Sequence, residues 1–87
     1  NNEVRILQGY LSRLSETYPQ IPPVEVSGVF GTATRDAVYA AQQLFGLPVD
    51  GIVRINTWNA ISDAYRDLLY GEYAADGQYG GTTLSEG

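Results

Sequence analysis

Three observations predict an all-α fold, a small three-helix bundle. Apolar residues recur at helical spacing in three separate stretches, prolines break the chain after the first, and one turn-plus-helix-start pattern occurs twice. At 87 residues the chain has room for one domain, and a fold of this size buries only roughly 60% of the surface its unfolded chain exposes.

The first helix is expected from about Asn2 to Tyr18, because Val4, Leu7, Leu11, Leu14 and Tyr18 form one apolar stripe. Glu3, Arg5, Gln8, Ser12, Ser15 and Glu16 are placed on the opposite, watered face. Pro19 ends the helix. From Pro19 to Val26 the prolines at 19, 22 and 23 impose extended geometry, and Ile21, Val24 and Val26 are apolar enough to lie against the bundle.

A second helix is expected from about Thr32 to Phe45, capped by Thr32 or Gly31 and stopped by Gly46. Its inward residues are Ala37, Val38, Ala41, Leu44 and Phe45. The third is expected from about Asn56 to Leu69, with Trp58, Ile61, Tyr65 and Leu68 at helical spacing and Gly71 closing the pattern. The chain thus divides into a helical domain over residues 1–70 and a flexible glycine-rich tail or linker over 71–87.

The repeat aligns Val26–Val38 with Val49–Ile61, without gaps, at an offset of 23 residues (Gly28 to Gly51). Val26 matches Val49, Gly28 matches Gly51, Thr34 matches Thr57 and Ala37 matches Ala60. Glycine suits a turn that needs positive φ, and the preceding Ser27 or Asp50 can bond that turn's backbone. The apolar pairs that follow, Val29-Phe30 and Ile52-Val53, are expected to plug the bundle. Thr34 and Thr57 fall in the first helical turn, where a hydroxyl can serve a free amide or the turn itself.

Composition removes several function classes. A net charge of -5 opposes nucleic-acid binding, and Arg5, Arg13, Arg35, Arg54 and Arg66 form no basic stripe. With Cys 0 and His 0 there is no disulfide, no catalytic histidine arrangement and no metal site or cofactor to expect. Asp63 and Asp67 lie one helical turn apart, but like charges at that spacing mark a solvated face rather than an acid/base pair. The chain is read as non-catalytic. It has no apolar run of membrane-spanning length and no charged-then-apolar leader at Asn1, so it reads as a mature segment or a piece of something longer.

In these motifs the chain resembles the type 1 peptidoglycan-binding family. Leu7-Gln8 stands for the family's first-helix element. Ser27, Gly28, Val29, Phe30, Gly31, Thr34, Ala37 and Val38 stand for the first turn motif, with Gln42 or Gln43 in place of the helix 2 glutamine. Asp50, Gly51, Ile52, Val53, Thr57, Trp58, Ala60 and Ile61 stand for the second. The sequence departs from the pattern at Ser27, where Asp is usual, and at Arg54 and Ile55, where Gly and Pro are usual. The long YPQIPPVEV stretch resembles a variant found in spore-forming Gram-positive bacteria.

The resemblance implies a right-handed three-helix bundle that binds peptidoglycan and targets a fused or partner wall hydrolase, outside the cell or in the wall or spore. Some bacterial relatives bind zinc near a catalytic domain, but with His 0 and Cys 0 no such site carries over to this chain. The fold is also that of the matrix metalloprotease pro-segment, whose inhibitory cysteine is lacking here as well. The chain is read as a monomer. The competing reading is a protein–protein docking domain in a spore or cell-surface assembly.

The expected ligand site is a shallow groove beside the two turns, where helix-start amides favour carboxylates. Arg35 and Arg54 are its charge partners, and Thr32 and Asn56 its hydrogen-bonding groups. Tyr10 and Tyr39 lie off the main stripes and are candidates for a ligand surface, of which Tyr39 is assigned to the site. Trp58 falls on the apolar phase of the third helix and is read as mostly core.

Overall fold

The apolar period of each stretch winds it into a helix and turns its stripe toward the others. The computed structural model describes residues 2–76; among them the helices are α1 (Asn2–Thr17), α2 (Thr32–Leu44) and α3 (Ile55–Asp76). Helix α1 packs on both α2 and α3. The core is built from Leu7, Leu11 and Leu14 of α1, Ala37, Val38 and Ala41 of α2, and Ile61 of α3. Ile21 and Val24 of the proline-rich connector are buried with them, whereas Val26 is exposed. Trp58 and Leu68 pack half-buried against this core, and Tyr18 meets Phe45 edge-on at 6.3 Å.

Helix ends follow the chemistry of their residues. Gly31 is the N-cap of α2 and makes no side-chain cap bond. At the other end Gly46 takes φ +72. Leu47 N–H then reaches the Gln42 carbonyl at 2.8 Å and Gly46 N–H the Gln43 carbonyl at 3.3 Å. These two bonds form a Schellman motif, which satisfies carbonyls the helix leaves open.

Besides Val26, three sequence expectations need correction. Gln8 is 1% exposed and belongs to the buried side of α1, not to its watered face. In each apolar pair only the second residue turns inward: Phe30 and Val53 pack on the core, while Val29 is 69% and Ile52 50% exposed. Finally, α3 does not stop near Leu69 but continues to Asp76. Glycine in a helix costs about 1 kcal/mol relative to alanine, and Glu72, Ala74 and Ala75 beyond Gly71 are good helix formers that offset it. The tail expected further on, over residues 77–87, lies outside the described residues.

Candidate ligand-binding site

Two buried glutamines organise the two turns with matching bonds. Gln8 Oε1 accepts from the amides of Ser27 and Gly28, each at 2.9 Å. Its Nε2 donates to the Val29 carbonyl at 2.9 Å and to Thr34 Oγ1 at 3.0 Å. On α2, Gln42 Oε1 accepts from the amides of Asp50 at 3.1 Å and Gly51 at 2.9 Å. Its Nε2 faces the Ile52 carbonyl, Thr57 Oγ1 and Asp50 Oδ1, all at 3.1 Å. Two N–H bonds serve three acceptors there, so one is shared. A glutamine suits each place because its oxygen meets two donors while its nitrogen meets a carbonyl. Glutamate would set oxygen against oxygen, and leucine would leave the turn amides without an acceptor.

The turns themselves close alike. Gly28 has φ +84 and Gly51 φ +75. Ser27 Oγ accepts from Val29 N–H at 3.2 Å, and Asp50 Oδ1 accepts from Ile52 N–H at 2.9 Å. Serine therefore fills the role of aspartate in the first turn, through a longer bond. Arg54, the counterpart of Gly31, leaves the helix start intact: its carbonyl accepts from Trp58 N–H at 2.8 Å, as that of Gly31 accepts from Arg35 N–H at 3.0 Å.

Charge separates the two turns. Arg54 Nη1 donates to Asp50 Oδ2 at 2.6 Å. The bond from Ile52 N–H, then that from Arg54, then that from Gln42 hold the Asp50 carboxyl down at about 2. Asp50 thus stays ionised through the neutral range and holds one edge of the guanidinium of an arginine that is otherwise 60% exposed.

Next to the second turn lies a groove of about 430 Å³. Val4 and Leu7 of α1, Phe30, Val53, and Ile55 and Trp58 of α3 give it apolar walls, with Glu3 and Arg54 as its charged members. The volume falls in the lower part of the range of small-ligand sites. Ile55 at its edge is 72% exposed.

The sequence model of the family described as "Putative peptidoglycan binding domain" matches residues 1–61. The chain belongs to this family. The match takes in α1, α2 and the start of α3, and with them both glutamine-held turns. No curated protein and no solved structure matches significantly. Membership supports a peptidoglycan-binding role and an association with the cell wall, and the family model that matches describes a binding domain.

Of the five residues assigned to the site from sequence, the structure brings Arg54 to this peptidoglycan-binding domain's groove. Thr32 and Arg35 are exposed at the start of α2, outside the groove lining. Asn56 caps α3 from within its first turn, its Oδ1 accepting from Thr57 N–H at 2.8 Å. Tyr39 lies against Gly51, where an added Cβ would sit 2.9 Å from its ring. Sequence reasoning missed Glu3, Val4, Phe30 and Ile55 as groove residues. Glu3, Val4 and Ile55 sit at the N-terminal ends of α1 and α3 and Phe30 in the turn before α2, segments that converge only in the fold. Among the described residues no three His, Cys, Asp or Glu side chains gather to hold a metal ion, and no helix is long and apolar enough to cross a membrane.

Proposed function

We propose that the chain is a non-catalytic anchor that holds an attached or partner wall hydrolase on peptidoglycan, gripping stem peptides in the groove between α1 and α3. The observation that carries this reading is the pairing of family membership with an apolar groove bearing both a carboxylate and a guanidinium. Stem peptides offer the complement: short apolar side chains, free carboxylates and, in many walls, an amine.

Arg54 is suited to the carboxylate. A guanidinium has five N–H donors in a planar fork, so engagement with Asp50 leaves others for a ligand. Glu3 supplies the opposite charge for an amine, and Trp58 and Phe30 supply the flat apolar surface between them. Such a module concentrates an enzyme on its polymer through raised effective concentration rather than through chemistry of its own. This reading places it at the wall or spore surface. The exposed Val29, Ile52 and Ile55 favour a second reading, the docking of a protein partner.

Titration of purified muropeptides by calorimetry tests the groove directly. Arg54→Ala should weaken binding about tenfold, the effect of losing one charge-assisted bond of roughly 1.4 kcal/mol, while Arg35→Ala should bind like the wild type. Equal losses from both variants, or none from Arg54→Ala, would reject the groove.

A further inference from the structure

A second groove runs along the seam of α1 and α3 and shares no lining residue with the first. It is lined by Ile6, Gly9, Tyr10, Arg13, Tyr65 and Leu69. Tyr10 and Tyr65 stack across the seam at 4.4 Å with an interplanar angle of 26°, and Tyr10 also stands 5.9 Å from Trp58. The aromatic wall is thereby tied to the core, against which Tyr10 and Trp58 both pack.

Gly9 has no role in packing. It sits inside a helix, where glycine is the least favourable residue apart from proline. Its φ is ordinary, and a Cβ built on it meets nothing within 4 Å. Neither backbone geometry nor close approach requires a glycine here. What the missing side chain does provide is open space beside Tyr10.

We propose that this seam is a second ligand site, which receives a pyranose ring of the glycan strand. The proposal rests on the reading of peptidoglycan as ligand and deepens it. A pyranose face presents C–H bonds with partial positive charge, which complement the negative face of an aromatic ring. The charge of the groove points the same way. Its one charged lining residue, Arg13, is ion-paired with Glu16 at 3.5 Å, so the groove suits the neutral, hydroxyl-rich face of a sugar ring. Amino-sugar hydroxyls and acetamido groups find partners in the Arg13 guanidinium and the tyrosine hydroxyls. Stem peptide in the first groove and sugar in the second would give one small domain two holds on the same polymer.

The test is a set of NMR titrations of the full chain with intact muropeptides and with glycan strands stripped of their peptides. Wild type should respond to the stripped strands at Gly9, Tyr10 and Tyr65. Gly9→Leu should fill the seam and lose at least tenfold in strand affinity, with an unchanged response to free stem peptides. Its Tm should be equal to or above that of the wild type, which separates blockage from unfolding; Gly9→Ala, adding one methyl, serves as the mild variant. Wild type that binds intact muropeptides yet gives no seam response to stripped strands would overturn this proposal and leave the peptide groove standing. Undiminished strand binding by Gly9→Leu would overturn it too. A chain that ignores intact wall material altogether would reject both sites.

Discussion

Gln8 and Thr34, on different helices, are joined by a 3.0 Å hydrogen bond from Nε2 to Oγ1, and both side chains are buried. Gln42 and Thr57 repeat the relationship at 3.1 Å. Each glutamine fastens one turn and one helix start to the helix before it. The turns carry the groove residues Phe30, Val53 and Arg54, so the site depends on two side-chain amides buried elsewhere.

Replacing either glutamine should therefore unfold the domain more readily than its polar character suggests. Gln8→Leu and Gln42→Leu each strand two amides and a carbonyl. At about 1–3 kcal/mol for each unsatisfied buried group, with part regained by hydration of the turn, a loss of roughly 3 kcal/mol is expected. Gln43→Leu, at an exposed neighbour, should change stability by under about 0.5 kcal/mol. Urea denaturation of the three variants reads the contrast, which also decides between Gln42 and Gln43 as the functional counterpart of the family's glutamine.

Thr34→Val and Thr57→Val keep the shape of the side chain but remove the acceptor from Gln8 and Gln42 respectively. Each should cost about 1–2 kcal/mol in the same measurement. The double mutant Gln8→Leu, Thr34→Val should lose less than the sum of its parts, because both changes break one bond.

How far the sequence disclosed this arrangement depends on the residue. The three helices were legible because leucines, alanines and Ile61 keep a helical period that only one buried face can satisfy. Positive φ at Gly28 and Gly51 was legible from the short polar residue before each. Gln8 was misplaced because residue type outweighed phase: it lies one residue after Leu7 and three before Leu11, at the margin of the apolar stripe. Val29 and Ile52 were misplaced because two consecutive apolar residues in a turn cannot both face inward. The groove was only partly legible, since Glu3 and Val4 meet Arg54 and Ile55 through the packing of α1 on α3, which no local pattern encodes.

Acid should release the second turn before the rest of the fold changes. Asp50 titrates at about 2 when folded, against an ordinary value of 3.8. Its folded pKa is depressed, so its contribution is present above about pH 4 and is lost as pH falls toward 2. Comparing wild type with Asp50→Asn by denaturation between pH 7 and pH 2 should show a difference that shrinks over that window. A difference that stays constant across it would contradict the assignment.

Gly51 is held by two constraints, φ +75 and a Tyr39 ring that would lie 2.9 Å from a new Cβ. Gly51→Ala should cost about 2 kcal/mol, combining a left-handed backbone penalty of roughly 1–2 kcal/mol with displacement of the tyrosine. In a Tyr39→Ala background only the backbone part should remain.

The central claim is that this family member binds peptidoglycan, and co-sedimentation with purified sacculi tests it most directly. The full chain should pellet with sacculi and remain in solution without them, and Arg54→Ala should pellet less while unfolding at nearly the wild-type denaturant concentration, since its exposed ion pair contributes little to stability. A folded wild-type chain that stays in the supernatant with sacculi of several wall chemistries would contradict the claim.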